Sequence, residues 1–297
     1  MRDTVIARIR GGIGNQLFCY AAARRLSLIN NAELVIDDVT GFVRDQRYRR
    51  RYALDRFDVS ARKATPSERM EPFDRYRRAL ARAMARRQPF CHRRYVEQEG
   101  IDFDPRLLDF KCDGTVYLDG YWQSEGYFKD IEQTIRNDLR IIPPEDSINR
   151  GMAQRIRGCI AVAVHMRWFD APQTGSAGHN LEEGYYARAV REIVARVAQP
   201  HFFLFSDGPE AARRMVDLPK DQFTCVHHNR GDENAYADLW LMSQCRHFVI
   251  ANSTFSWWGA WLAEHQDKTV IAPGIVRYSG IGAWGFKRLI PSQWIQM

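Results

Sequence analysis

Side chains able to hold an anion stand behind a series of short apolar runs in the second half of the chain. Residues 159–164 (CIAVAV) lead to His165 and Arg167, and residues 202–205 lead to Ser206, Asp207 and Gly208. Residues 224–226 lead to His227, His228 and Asn229, residues 248–251 to Asn252, Ser253 and Thr254, and residues 270–272 to Pro273 and Gly274. The planar fork of an arginine such as Arg167 takes two phosphate oxygens at once. Ser253, Thr254, Phe255 and Ser256 read as the opening of a helix, whose free N–H groups and partial positive charge suit a diphosphate. Asn252 or Ser253 as the N-cap of that helix is compatible with this. Asp207 reads equally as a partner for a ribose or base and as a strand-end turn residue. His165 reads as a positioning residue. Three carboxylates at strand ends, Asp170, Asp37 and Asp38, are candidates for a general base, and none stands out.

Near the start, Gly11-Gly12-Ile13-Gly14-Asn15 differs from the G-x-G-x-x-G dinucleotide pattern. It still gives a tight turn, with Gly12 and Gly14 allowing close backbone approach. Asn15 either faces a ligand or caps the next helix. Asp102-Phe103-Asp104 has the D-x-D form of a metal site, but Pro105 behind it favours a surface turn. His227-His228 lacks spaced partner ligands, so no metal site is expected.

The elements that must position these groups follow from periodicity. Val5, Ala7 and Ile9 alternate as a strand, Leu17, Ala21 and Leu28 line a helix, and residues 34–36 make a second strand, a βαβ opening. Phe73, Tyr76, Leu80 and Met84 recur at helical spacing, which predicts a helix with these residues inward and a basic outer face. A strand and turn over residues 117–124 precede a helix expected at 127–139. Pro143-Pro144-Glu145-Asp146 is the expected linker. Beyond it the five runs named above read as strands, separated by helices over residues 181–197, 209–216, 234–244 and 254–265. Repeated strand–helix alternation implies a parallel sheet covered on both faces, which binds ligands beyond the carboxyl ends of its strands. Trp257, Trp258 and Trp261 read as helix packing ahead of stacking on a base or sugar.

The chain has 297 residues and a net charge of +7, with 45% hydrophobic and 27% charged residues. That composition excludes a disordered chain and a disulfide-stapled miniprotein. Residues 40–95 hold 17 basic and 6 acidic residues, so the remainder of the chain is slightly acidic. No apolar run approaches the roughly 20 residues of a spanning helix, and the N-terminus lacks the pattern of a secretory signal. Six scattered cysteines read as reduced thiols, mostly in or near the core. A cytoplasmic protein is expected, open to peripheral contact with the inner face of the cell membrane.

Four segments carry a family resemblance. They are Gly11 to Phe18 (GGIGNQLF), Tyr121 to Phe128 (YWQSEGYF), Phe205-Ser206-Asp207, and Ile250 to Leu262 (IANSTFSWWGAWL). In this order they resemble the α-1,2-fucosyltransferases of glycosyltransferase family 11. The resemblance implies an α/β, GT-B-type fold of two Rossmann-like domains facing a central cleft. Residues 1–146 would form the acceptor-side domain with a basic helical insert, and residues 147–297 the GDP-binding domain. It implies inverting transfer of L-fucose from GDP-fucose, with no metal or other cofactor, to a galactoside hydroxyl in α-1,2 linkage. The acceptor would belong to a surface polysaccharide or lipopolysaccharide precursor, including one carried on a lipid. Arg167, Asn15 and Asp170 would be catalytic. Gly12, Gly14, His165, Ser206, Asp207, Asn252, Ser253, Thr254, Phe255 and Ser256 would hold the donor. The family's H-x-R-R-x-D stretch reads here His165-Met166-Arg167-Trp168-Phe169-Asp170. Trp168 in place of the second arginine bears on donor identity and catalytic strength, and motivates an alternative donor, another GDP-linked deoxysugar. A nucleic-acid or membrane-surface binding role for the arginine-rich segment is the alternative from a different class. Nucleic acid is not expected as a partner, since arginines on an outer helix face are most often solvated.

Overall fold

The computed structural model describes residues 2–46, 48–169, 180–216, 218–278 and 282–297. The chain divides into two compact units, Met1–Arg140 with Lys287–Leu289, and Ile141–Phe286 with Ile290–Met297.

The first unit opens with β1 (Thr4–Arg8), α1 (Ile13–Ile29) and β2 (Glu33–Asp37), then β3 (Arg62–Lys63), α2 (Asp74–Ala85), β4 (Tyr95–Glu97), β5 (Thr115–Asp119) and α3 (Glu132–Asp138). Its parallel sheet has the order β3-β2-β1-β5-β4. Val5, Ile6 and Ala7 are all buried, so β1 is covered on both faces, as a central parallel strand must be. α1 is buried nearly all round, with Leu17 and Ala21 inside and Leu28 exposed. The helix expected at 127–139 is shorter. Residues 125–127 and 129–131 form single 3-10 turns, the first capped by the Ser124 hydroxyl at 3.1 Å from the Gly126 N–H.

The helix expected from the spacing of Phe73, Tyr76, Leu80 and Met84 forms as α2, but it faces the other way. Those four side chains are exposed, while Arg78 and Ala85 are buried and Ala81 packs on the cluster of Ile6, Val35, Tyr95 and Tyr117. Electrostatics decides this orientation. Arg82 pairs with Glu97 at 2.8 Å and Asp119 at 3.4 Å, and Arg86 with Glu97 at 2.7 Å. Asp119 is almost wholly buried and is shared by Arg82 with Arg8 and Arg10, while Glu97 takes both Arg82 and Arg86, so the helix turns these arginines toward the sheet and its apolar stripe outward.

The second unit runs α4 (Ser147–Arg157), β6 (Ile160–Met166), α5 (Glu183–Arg196), β7 (Pro200–Ser206), α6 (Pro209–Arg214), β8 (Phe223–Val226), α7 (Ala235–Ser243), β9 (His247–Val249), α8 (Thr254–Leu262), β10 (Val270–Ala272) and β11 (Ile295–Gln296). Its sheet is parallel with the order β11-β10-β9-β6-β7-β8. The expected stripe Leu181, Tyr185, Ala189, Ile193 and Val197 packs on Val162, Val164 and Leu204. The division between the units falls at Arg140/Ile141, ahead of the boundary expected after Asp146. Asp146 caps α4, its carboxylate accepting the Asn149 N–H at 2.8 Å, so the proline segment goes with the helix it starts. The six cysteines are free thiols, with Cys19 and Cys245 buried, Cys112 and Cys225 half-buried, and Cys91 and Cys159 exposed.

Candidate functional site

In the second unit the chain passes from β6 outward to β7 and β8, then returns to place β9 on the other side of β6. The switch point of the sheet therefore lies between β6 and β9, where open parallel sheets admit a ligand. His165 ends β6, and Asn252 to Ser256 follow β9. Their rings meet there, with the His165 and Phe255 centroids 5.2 Å apart. Ser253 adopts extended backbone as the N-cap of α8 and accepts the Phe255 N–H at 3.3 Å. The Ser256 hydroxyl turns back to the Ser253 carbonyl at 3.2 Å. Asn252 and Ser256 are buried, and Thr254 is partly open at the first turn.

His165 is buried, and its Nδ1 makes no hydrogen bond among the described residues. Burial first, and then the Arg167 cation, push its imidazole down to about 3. It is therefore a neutral ring at working pH, unable to act as a cation toward phosphate.

Arg167 extends beyond β6 and is paired with Asp207 at the end of β7, Nη1 to Oδ2 at 2.7 Å. Both side chains are part-exposed. The other oxygen of Asp207 accepts the Trp168 N–H at 3.1 Å. The Trp168 indole N–H donates to the Ser206 hydroxyl at 3.0 Å, which also accepts the Gly208 N–H at 3.0 Å. A Cβ on Gly208 would lie 2.7 Å from the indole, so glycine is what lets this ring cover the turn. Nothing in the sequence signals this latch beyond Trp168 itself, which stands where the family resemblance has a second arginine. Phe169 completes the group, with the Arg167 guanidinium 5.7 Å from its ring centroid. Asp170 lies outside the described residues.

Trp257, Trp258 and Trp261 are all buried and pack on one another edge-to-face and stacked, so none of the three rings is open to a ligand.

In the first unit the switch point lies between β1 and β5. Two separate motifs meet there. Asn15 stands in the first turn of α1, and its Oδ1 accepts the Gln123 amide at 2.7 Å. It does not cap the helix, whose N-cap is Gly12 without a side-chain bond. The glycine that the turn requires is Gly11, at φ +76, where a Cβ would come within 2.8 Å of the Asn15 amide nitrogen. Gly12 has ordinary extended backbone and Gly14 is buried inside α1. Arg10 lies over the Tyr121 ring at 4.5 Å and reaches Asp119 at 3.7 Å. Arg8 joins Asp119 at 3.3 Å, and the Tyr95 hydroxyl donates to it at 2.6 Å. Burial raises the Asp119 carboxyl, but Arg10, Arg8 and the Tyr95 hydroxyl outweigh it and hold the group below its usual range.

Of the carboxylates considered as bases, Asp37 is fully buried. It accepts from the Thr40 N–H at 2.9 Å, the Thr40 hydroxyl at 2.5 Å and the Tyr117 hydroxyl. It has no face left for a substrate. Asp38 pairs with Lys63 at 3.5 Å. The D-x-D carboxylates are also engaged. Asp104 is buried rather than on a surface turn and binds Arg106 at 2.6 Å, while Asp102 accepts the Lys287 N–H at 2.8 Å.

The chain has two parallel-sheet α/β units with polar residues gathered at the carboxyl ends of their strands, an architecture of GT-B type. The model of the Glycosyl transferase family 11 family matches residues 4–277, and the chain belongs to that family. It is 28% identical over 277 residues to an alpha-1,2-colitosyltransferase of Escherichia coli, covering 91% of each chain. It is 26% identical over 286 residues to the O-antigen biosynthesis glycosyltransferase WbnK of Escherichia coli, covering 89% of this chain and 92% of the relative. Among solved structures, the NodZ alpha-1,6-fucosyltransferase soaked with GDP-fucose superposes with a TM-score of 0.54 at 16% identity, covering 88% of this chain and 93% of that one.

Proposed function

We propose that the protein moves L-fucose from GDP-fucose to a galactoside hydroxyl of a surface glycan, in α-1,2 linkage and with inversion. The observation that carries this reading is the placement, in a family 11 chain, of Arg167 just beyond β6 and of the first turn of α8 beyond the neighbouring strand β9. As the bond from C1 of the sugar to the diphosphate breaks, its electron pair leaves with GDP and charge grows on the phosphate oxygens. The Arg167 fork and the N–H groups of the first α8 turn are the donors proposed to take up that charge. Asp207 holds the Arg167 guanidinium in place, and the neutral His165 offers a ring nitrogen to the same ligand. The acceptor hydroxyl oxygen forms the new bond to C1 and gives up its proton. With Asp37 spent on Thr40 and Tyr117, and Asp38 on Lys63, Asp170 is the proposed proton acceptor. The donor arginine and helix turn supply charge stabilisation without a metal, which supports the expectation that no metal or cofactor is needed.

The test is turnover with GDP-fucose across a panel of galactosides, with the product linkage determined by NMR and each assay repeated in EDTA. A single α-1,2 product, formed equally well in EDTA, is the expected result. Turnover that vanishes in EDTA and returns with manganese would overturn the metal-independent reading.

A second donor, another GDP-linked deoxysugar, is favoured by two observations. One is the relative named as an alpha-1,2-colitosyltransferase. The other is Trp168, which stands in sequence where the family resemblance has a second arginine and whose indole N–H donates to Ser206. Under this reading Trp168→Arg changes the ratio of kcat/KM values between GDP-sugars rather than lowering all of them equally.

A further inference from the structure

The sequence around α2 is strongly basic, and the orientation of the helix gives that charge a context. Between residues 73 and 87 stand six arginines and a single acidic residue, Asp74. Three of the arginines are held in ion pairs, Arg82 and Arg86 at the sheet and the buried Arg78 along the helix itself. Arg78 pairs with Asp74 at 2.5 Å, Arg82 with Glu97 at 2.8 Å and Arg86 with Glu97 at 2.7 Å. With the cations drawn inward, the apolar stripe is turned out. Phe73, Tyr76, Leu80 and Met84 are 73%, 71%, 63% and 58% exposed. They follow one another along a single face, since their spacings of three and four residues each advance by about one helical turn. Arg77 lies beside the stripe and Arg87 just beyond its C-terminal end. Both are exposed, and neither forms an ion pair among the described residues.

We propose that this outward face of α2 docks the protein on an anionic lipid bilayer, with the helix lying in the plane of the interface. A contiguous apolar patch ringed by polar groups marks an interaction surface rather than ordinary exposure. An aromatic and aliphatic stripe flanked by arginines is the pattern of an interfacial helix, whose apolar face enters the headgroup boundary while the cations meet lipid phosphates. Charge complementarity selects this occupant over the others. Residues 40–95 carry an excess of eleven positive charges in a chain whose remainder is slightly acidic, so the stripe sits in the one segment that an anionic surface attracts. A second copy of the same face would instead bring Arg77 and Arg87 against their own counterparts. Leu80 and Met84 carry no group that reads a base edge, which disfavours nucleic acid.

Binding to vesicles of phosphatidylcholine alone and of phosphatidylcholine with phosphatidylglycerol tests the proposal, using the full chain, Leu80→Glu/Met84→Glu and Arg77→Glu/Arg87→Glu. The exposed positions make these variants compatible with folding, and thermal unfolding checks it. Tyr76→Ser serves as a milder second probe of the stripe. The wild-type chain is expected to co-sediment with the anionic vesicles and to lose binding as salt is raised. Each double variant is expected to bind at least about tenfold more weakly, because one lacks the inserting side chains and the other the attraction to phosphate. Wild-type protein that fails to bind anionic vesicles, or a folded stripe variant that binds like wild type, overturns the proposal. So does a wild-type dimer in size-exclusion chromatography that Leu80→Glu/Met84→Glu converts to monomer, since the stripe is then an interface between copies.

Discussion

Arg167 is fastened by a carboxylate that contributes little to the fold. Its pair with Asp207 is part-exposed on both sides, and ion pairs of that kind are worth about 0–1 kcal/mol. Removing the arginine should therefore spare stability and damage transfer. Arg167→Ala is expected to keep a near-wild-type unfolding midpoint and to lose about 10²–10³ in kcat, the usual cost of deleting one donor aimed at developing charge. A folded variant with near-normal turnover would falsify the phosphate role. Asp207→Asn keeps an acceptor for the Trp168 N–H and should cost less than Arg167→Ala. His165 enters differently. Its imidazole is neutral well below physiological pH, so a pH–rate profile should show no step near 6.5 that His165→Gln removes.

At the scale of elements, α4, the segment after β8, and α7 are tied by a part-buried polar network. The Asn229 amide donates to Asp238 at 2.8 Å and to Asn149 at 2.9 Å, while His228 contacts Asn149 at 3.0 Å. Burial pushes the Asp238 carboxyl from 3.8 up to about 7, against the lowering effect of the Asn229 amide. A folded value above the unfolded one means that the stability linked to this group is full below pH 4 and is lost as pH rises through 7. His228, which burial pushes down, has the opposite slope, so the difference between wild type and Asp238→Asn isolates the carboxylate. The unfolding midpoint of Asp238→Asn is expected to gain on wild type as pH climbs from 4 to 7 and to level off above that, with ~1.4 kcal/mol per pK unit as the ceiling.

The same scale shows what a sequence can and cannot convey. The alternation of apolar runs with helical stripes was enough to place five strands of the second sheet, but not β11, whose two residues are too short to show a pattern. The polar residues behind those runs then had to fall at its carboxyl edge. α2 was legible as a helix but not in its direction, because the spacing of Phe73, Tyr76, Leu80 and Met84 carries no record of Glu97 and Asp119. Those carboxylates meet the helix only through the pairing of β4 with β5 and β5 with β1. The bond between Asn15 and Gln123 was equally hidden, since it joins two motifs 108 positions apart.

At the scale of the whole molecule, among the described residues no helix is long and apolar enough to cross a membrane. The charge that matters for long-range attraction is concentrated in one stretch of the first unit. Encounter with an anionic surface should accordingly be fast at low ionic strength and fall once the Debye length drops below about 10 Å, near 0.1 M salt.

The short return of the chain at Lys287–Leu289 has a consequence for how this protein can be divided. Those residues complete the first unit. The Lys287 carbonyl accepts the Phe103 N–H at 3.4 Å, the Lys287 N–H reaches Asp102 at 2.8 Å, and the Arg288 carbonyl accepts the Ser124 hydroxyl at 2.7 Å. A fragment of residues 1–140 lacks them and leaves the buried Ser124 hydroxyl without that acceptor. Such a fragment should express poorly or unfold at a lower temperature than a version with residues 287–289 grafted on, a comparison that thermal melts settle. Gene fusions that exchange halves between family members at a single crossover would join a first unit to a C-terminal stitch evolved for another. Chimeras meant to exchange the first unit while keeping the second need two crossovers in the second half, one on each side of that stitch.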